Sequence, residues 1–367
     1  MDRQALIRRV LKGGLCRVLR WHPLSEPVPG YSIVLGAPWE LRHLLSVNLR
    51  FLAACDLTAM DRLYVVFDRV RQPGHEAFCD EVRKGFPGLP IAFLPQPGLA
   101  GRIVRCVDQS KFYASLNWVT GLKYCRTRYA VLHDFDLYPT DPMMFARIVS
   151  AMREHQWRFS GVEHTHFDGL TDADGLIGTW ELGIDVEWLR SRYRPIDCFH
   201  TVADVNGRRV DLDAFNEIQS RTPERGLAED VGRKSYAHVT NLCSTYLRYS
   251  RGQPAKLAWR LPYLWYLEAL AGEEGRLGEA TEAMRQASSP VISVGGHAAS
   301  FLGTHVTCAN VLRDELARME GSLFGGVRPA VTLFEAAFRA FLEAYGDGAV
   351  AGRATSTGAV ASIPTEL

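Results

Sequence analysis

The sequence predicts an α/β protein built on a mostly parallel central sheet flanked by helices. Over the first 155 residues, short apolar runs of strand length alternate with segments whose apolar residues recur at helical spacing. The apolar runs are continuous, which indicates strands buried on both faces, as in parallel sheets. Polar residues directly follow several of these runs, at the strand ends where such sheets bind ligands.

The expected elements can be placed in order from their apolar spacing and caps. Strands are predicted at residues 32–35, 63–67, 90–94, 129–132, 158–162 and 176–182. Helices are predicted at residues 39–55, 75–85, 110–125 and 185–194, and after Asp141-Pro142, an N-cap followed by proline. Residues 195–235 are polar, which predicts a long irregular segment, the polar excursion, that runs over the edge of the sheet. Additional C-terminal helices are expected near 261–272, 309–319 and 329–345.

Composition and charge exclude several classes of protein. The 42 basic and 41 acidic side chains of the 367 residues give a formal charge of +1, which argues against a protein that coats nucleic acid. The chain lacks a run of about 18 apolar residues, so no membrane-spanning helix is expected. Its eight cysteines form no CxxC pair, which is typical of reduced cysteines in a cytoplasmic protein.

Residues 1–24 form a basic segment with two open interpretations. The basic side chains are Arg3, Arg8, Arg9, Lys12, Arg17 and Arg20, against the single acid Asp2. Apolar residues recur in this segment at roughly helical spacing. It is either an amphipathic helix packed on the body of the protein, or an interfacial helix that contacts the anionic inner face of a membrane as a peripheral anchor.

Two carboxylates follow the predicted strand at 129–132. Asp134 and Asp136 flank one apolar residue, and residues two apart share a face as a strand ends. Two like charges held close together are unfavourable unless a cation or a proton compensates them. A hard divalent ion such as Mg²⁺ or Mn²⁺ would do so, and it could also hold a diphosphate. The alternative is that both residues simply cap the strand and the following turn.

Asp134-Phe135-Asp136 resembles the DxD motif of GT-A-fold glycosyltransferases. Residues 115–125 and 129–139 are similar to that family's helix–strand–DxD segment, residues 32–38 resemble its first strand, and the resemblance covers about residues 31–240. It implies a Rossmann-like GT-A sheet and a metal-dependent enzyme that uses Mn²⁺ or Mg²⁺. Such an enzyme moves a sugar from a nucleoside diphosphate donor, for example a UDP-sugar, to an acceptor hydroxyl.

The resemblance also implies which residues hold the donor. Pro38 and Asp68 would line the nucleotide pocket, while Asp134 and Asp136 would bind the metal that grips the diphosphate. Lys111 and Arg102 precede the helix that leads to the motif, and we expect them to face the diphosphate or to remain solvated surface charges.

An inverting transfer also needs a general base to deprotonate the acceptor. Glu229-Asp230 resembles the ED motif of inverting family-2-like enzymes, which implies that Asp230 is the base and Glu229 its neighbour. The alternative is a pair of acids that complements a helix dipole. Rival carboxylates are Glu181, Asp185 and Glu187, and a retaining enzyme would need no such base.

A late histidine completes the metal site in several GT-A enzymes. His297 is the candidate here, because it follows two glycines that allow close approach to a phosphate or a metal. His238 and His305 are the alternatives. His164 and His166 have metal-ligand spacing, but we expect them on an exposed turn.

On this interpretation the chain has five parts. They are the segment 1–24, a nucleotide-sugar-binding half 25–155, an acceptor-binding half 156–300, C-terminal helices 301–349 and a flexible tail 350–367. The acceptor could be a glycan, a lipid-linked sugar or a natural product. A nucleotidyltransferase is an alternative, but no Gly-rich phosphate loop with a following Lys lies near Leu35-Gly36. The second alternative is a non-catalytic protein that binds sugar nucleotides or acts as a scaffold.

Overall fold

The structure, a computed structural model, describes residues 12–68, 73–106, 110–166, 170–229, 231–239, 242–249, 261–272, 292–294, 297–299 and 306–326. The predicted helix at 329–345, the predicted tail, Asp230 and His305 lie outside these residues. The backbone divides into two compact units, Met1–Tyr236 and Ala237–Leu367.

The first unit is built on a sheet of seven described strands, and the predicted mostly parallel α/β architecture is confirmed. The strands are β1 (Val28–Ala37), β2 (Met60–Phe67), β3 (Ile91–Pro95), β4 (Thr127–His133), β6 (Phe159–Gly161), β7 (Glu181–Asp185) and β10 (Arg225–Leu227). They lie in the order β10-β6-β7-β4-β1-β2-β3. Only β7 runs antiparallel to its neighbours among these strands. Consecutive residues of β1 such as Ile33, Val34 and Leu35 are all fully buried, as a doubly covered sheet requires.

The register brings three strand ends to one edge of the sheet. Ala37 of β1 pairs with Phe67 of β2, and Leu35 of β1 pairs with His133 of β4. The residues that follow these strands are Pro38, Asp68 and Asp134. Because all three strands are parallel, these residues lie side by side at the carboxyl edge, as the sequence predicts.

Helices cover both faces of this sheet. In the first unit they are α1 (Leu45–Ala53, preceded by a 3₁₀ segment Trp39–Leu44), α2 (His75–Gly85), α3 (Gly98–Arg105), α4 (Ser110–Tyr124), α5 (Met144–Glu154), α6 (Val186–Arg192) and α7 (Asn216–Ser220). Helix α4 lies against β1 through Gly121, where an added Cβ would come within 2.2 Å of Val34 Cγ1. This close approach brings the helix that precedes β4 directly onto the sheet.

A smaller pair of strands follows the main sheet. Strand β5 (Leu137–Pro139) follows the two aspartates, and β11 (Tyr236–His238), at the division of the chain, pairs with it. The backbone N–H of Thr140 donates to the carbonyl of Ser235 at 2.8 Å, which holds the start of β11 beside the end of β5.

The polar excursion contains a β-hairpin that the sequence analysis missed. Strands β8 (Thr201–Val205) and β9 (Arg208–Leu212) pair antiparallel around Asn206-Gly207. Both turn residues have positive φ, 49° and 75°, which an Asn-Gly hairpin turn requires. The predicted strand at 176–182 instead begins at Glu181, after a turn at residues 179–180.

Part of the basic N-terminal segment packs on the first unit. Residues 12–18 are helical, and Leu15 and Leu19 are buried within the main hydrophobic core. Trp21 donates its indole N–H to the Tyr193 carbonyl at 2.7 Å. Among the described residues, this apolar side therefore faces protein, while Arg17 and Arg20 are exposed.

The second unit holds helices α8 (Leu242–Tyr249), α9 (Leu261–Ala271) and α10 (Val306–Phe324), and strands β12 (Ile292–Val294) and β13 (His297–Ala299). Helices α8 and α9 contact each other, and β12 pairs antiparallel with β13. In the part of the chain that is described, no helix is both long and apolar enough to span a bilayer.

Candidate metal centre

The turn after β4 presents two carboxylates at the carboxyl edge of the sheet. The Asp134 backbone N–H donates to the Trp180 carbonyl at 2.9 Å, which joins the turn to the residue before β7. The Asp134 Oδ1 accepts the Phe135 N–H at 3.1 Å, and the Asp134 carbonyl accepts the Leu137 N–H at 3.3 Å. The chain therefore folds back within four residues, and β5 begins immediately.

Asp134, Asp136 and His238 form the metal-ligand group of the described residues. Each offers one ligand atom, and the three atoms lie within 4.8 Å of one another. Asp136 is buried with 5% exposure, whereas the other two are half-buried. Two carboxylates and one imidazole suit a borderline or hard divalent cation, so these residues fit Mn²⁺ or Mg²⁺.

The electrostatics of Asp134 favour a bound cation. Burial raises its pKa well above the usual aspartate range, and the neighbouring Asp136 raises it further. The Phe135 N–H opposes this shift, while Asp213 and Glu181 add to it. A carboxylate surrounded by like charges is stabilised in its ionised form by a cation, as the sequence analysis expected of this pair.

Asp68 organises the ends of β1 and β2. Its backbone N–H donates to the Ala37 carbonyl at 3.1 Å, and its carboxylate accepts the backbone N–H of Trp39 at 2.9 Å. The Trp39 ring stacks on His75 with centroids 5.3 Å apart. Asp68 thus fixes the backbone at Pro38, where the sequence predicts a nucleotide pocket.

A further carboxylate next to the aspartate pair was missed by sequence reasoning. Asp213 follows β9 and accepts hydrogen bonds from the Ala214 backbone N–H at 2.9 Å and from the Thr179 side chain. Burial raises its pKa, and the Lys111 ammonium lowers it. The Asn206-Gly207 turn could have revealed the hairpin that delivers Asp213, because Asn-Gly between strand-forming residues is a strong hairpin pattern.

Two of the three rival carboxylates, Glu181 and Asp185, are buried against other side chains. Glu181 is fully buried and contacts His133. Asp185 pairs with Tyr129, at the opposite end of β4 from Asp134, and its carboxylate contacts Arg158 at 2.6 Å. Neither carboxylate is exposed at the carboxyl edge.

The remaining predicted residues are placed as follows. Glu229 is exposed in a turn after β10, and a short 3₁₀ segment Arg233–Ser235 follows it. Arg102 is exposed on α3. His297 begins β13, and its side chain lies outside the described part. His164 and His166 both lie near the exposed Asp172 carboxylate, at 3.4 and 3.3 Å.

The chain matches no protein-family model and no curated protein. It is similar to solved glycosyltransferases. A mannosyltransferase from Pyrobaculum calidifontis in complex with GDP-Man and Mn²⁺ is 13% identical over 93% of this chain and 92% of that one, with a TM-score of 0.41. The galactosyltransferase LgtC is 15% identical over 44% and 60%, with a TM-score of 0.33.

TarS of S. aureus is also similar, at 10% identity over 80% of this chain and 81% of that one, with a TM-score of 0.38. It has also been solved with UDP-GlcNAc. Similarities at these identities and TM-scores assign no function to this chain.

Proposed function

We propose that the protein is a metal-dependent glycosyltransferase that moves a sugar from a nucleoside diphosphate donor to an acceptor hydroxyl. The observation that supports this most is the group Asp134, Asp136 and His238. It lies where parallel α/β sheets bind nucleotides, at the carboxyl ends of β1, β2 and β4. Oxygen-rich metal ligands at that edge fit a diphosphate held through a cation.

Within this proposal, Asp134, Asp136 and His238 hold Mn²⁺ or Mg²⁺. The cation would neutralise charge on the diphosphate as it leaves. Asp68 and Pro38 shape the pocket for the nucleoside, and UDP is the nucleotide we propose to test first. The Lys111 ammonium, close enough to lower the pKa of Asp213, brings positive charge to the same edge.

For the general base we propose Asp213 as the candidate that the structure adds. It interacts electrostatically with Asp134, and burial raises its pKa, which makes its ionised form a stronger base than an ordinary aspartate. Asp230, with Glu229 beside it, remains the candidate that the sequence predicts. With either base, we propose that the transfer inverts the configuration at the anomeric carbon of the sugar.

The remaining assignments are also proposals. The acceptor is a glycan, a lipid-linked sugar or a natural product. The protein is cytoplasmic, and the segment 1–24 contacts the anionic inner face of a membrane through basic side chains such as the exposed Arg17 and Arg20. Flotation with anionic vesicles tests that contact. The full-length protein should float with the vesicles, and a chain starting near Pro23 should not.

The experiment for the activity is a panel of nucleotide sugars incubated with Mn²⁺, with release of nucleoside diphosphate as the measurement. We expect one donor to be hydrolysed slowly by the wild-type protein and not by Asp136→Asn. The matched control is Asp80→Asn, which removes an exposed carboxylate on α2. Equal hydrolysis by Asp136→Asn and wild type, or release from no donor, would contradict the proposal.

A further inference from the structure

A buried polar network lies directly beneath the turn that carries the two aspartates. Asn48, on α1, donates its side-chain amide to the carbonyls of Phe135 at 3.2 Å and Leu137 at 3.1 Å. These two carbonyls flank Asp136 in sequence. One side chain from a different element therefore fixes the backbone on both sides of a predicted metal ligand.

The network continues into the sheet through His133, the last residue of β4. The amide nitrogen of Asn48 is the donor to the carbonyls, so its Oδ1 is the acceptor, and His133 Nε2 donates to it at 3.1 Å. His133 Nδ1 in turn contacts Glu181 Oε1, its cross-strand partner on β7. Asn48, His133 and Glu181 are all fully buried.

Burying three such side chains is costly, so their placement requires an explanation. Buried polar groups destabilise a fold unless they are hydrogen-bonded, and apolar residues of the same shape would serve a purely structural core at least as well. Both bonds that the Asn48 amide donates end on carbonyls that flank Asp136, at Phe135 and at Leu137, the first residue of β5. Ligand-bearing turns at metal sites are commonly oriented by such outer partners.

We infer that Asn48, His133 and Glu181 are positioning residues that hold the Asp134–Asp136 turn in the shape that binds a divalent cation. The inference rests on the proposed function. Asn48 fixes the carbonyls on either side of Asp136, and His133 and Glu181 hold Asn48 and the end of β4 in place. None of the three touches the cation or the donor.

The test measures Mn²⁺ affinity directly, by electron paramagnetic resonance titration of the full-length protein with and without UDP. The variant is Asn48→Leu, which keeps a similar shape but removes both amide donors. The matched control is Ser32→Ala, which removes an equally buried hydrogen bond to Thr127, at 2.8 Å, between β1 and β4. Melting temperatures are recorded in EDTA for every protein.

We expect Asn48→Leu to bind Mn²⁺ about 10- to 100-fold more weakly than wild type. Ser32→Ala should bind Mn²⁺ within about twofold of wild type, even where its melting temperature falls, because a lost buried hydrogen bond lowers stability alone. If Asn48→Leu gives no cooperative melting curve, the smaller Asn48→Ser is measured against the same expectation.

Two outcomes overturn the inference in distinguishable ways. Unchanged Mn²⁺ affinity in a folded Asn48 variant, with a wild type that binds Mn²⁺, shows that the network is merely structural and leaves the proposed function standing. A wild type that binds no Mn²⁺ with or without UDP removes the metal site, and the positioning role falls with it.

Discussion

At the residue scale, Asp213 offers the sharpest test of proton transfer. A base must be ionised to accept the acceptor proton, and burial raises the pKa of Asp213. Activity should therefore be lost as pH falls through a pKa above the usual aspartate range of about 4. The measurement is kcat/KM against pH for the donor identified by the panel.

Variants at this position separate the two candidate bases. If Asp213 is the base, Asp213→Asn should lower kcat by about 10²- to 10⁴-fold, whereas Asp230→Asn should not. Lys111 lowers the pKa of Asp213, so Lys111→Gln should move the acidic limb of the pH profile upward. Full turnover in Asp213→Asn, with loss in Asp230→Asn, would favour the base that the sequence predicts.

The residues of the site differ in how far the sequence could predict them. Asp134 and Asp136 are predictable, because a continuous apolar strand and an i, i+2 spacing are local patterns. His238 and Asp213 reach the same edge only through long-range pairing, β11 on β5 and the β8–β9 hairpin beside Thr179. A single sequence can indicate the hairpin through Asn206-Gly207 but not the edge to which it or β11 packs, so it offers His238 only as one alternative among several histidines.

At the element scale, the packing of α4 on β1 depends on Gly121. A Cβ there would lie 2.2 Å from Val34 Cγ1, so Gly121→Ala must displace the helix or the strand. We expect a loss of about 1–3 kcal/mol in the free energy of unfolding, measured by urea denaturation.

Gly85, at the end of α2, is the matched control because an added Cβ would meet nothing within 4 Å. Gly85→Ala should be neutral, or stabilising by up to about 1 kcal/mol. Similar free energies for the two variants would show that α4 does not approach β1 as closely as described.

The β8–β9 hairpin is anchored by a buried carboxylate. Asp174 accepts hydrogen bonds from Arg208 at 2.7 Å and from Asn206 at 2.7 Å, and the Arg208 guanidinium lowers the pKa of Asp174 to about 2. A pKa lowered in the folded state means that the stabilisation is fully present above about pH 4 and is lost as pH falls through about 2.

Asp174→Asn should therefore lower stability at pH 7 by roughly 1–3 kcal/mol and should flatten the dependence of stability on pH in the acidic range. Urea denaturation between pH 7 and pH 2 measures both effects. The control is Asp197→Asn, which disrupts an exposed pair with Arg194 and should change stability little. A parallel decline with pH in wild type and Asp174→Asn would contradict the anchoring role.

The central strands were predictable because strands that are buried on both faces are continuous apolar runs. The helices between them were predictable because their apolar residues recur at helical spacing. The hairpin was not predicted, because only Val205, Val210 and Leu212 form its small separate core with Leu170 and Leu176. Apart from Val202, Ala203 and Gly207, its other residues are polar, so the segment resembles a loop and only Asn206-Gly207 indicates the turn.

At the scale of the whole molecule, the net charge of +1 has an uneven origin. Residues 1–24 are basic, whereas the carboxyl edge of the sheet gathers Asp134, Asp136 and Asp213. Acids at that edge repel phosphates unless a cation intervenes, so nucleotide binding by this protein should depend strictly on a divalent metal.

The most direct test of this central claim is the melting temperature of the full-length protein with UDP or GDP, in Mn²⁺ and in EDTA. A ligand that binds only the folded state at about 100 times its Kd adds about 2.7 kcal/mol of stability. We predict that a nucleoside diphosphate raises the melting temperature of wild type and Asp80→Asn only with Mn²⁺, and never that of Asp136→Asn. Stabilisation in EDTA, or an equal shift in Asp136→Asn, would contradict the account.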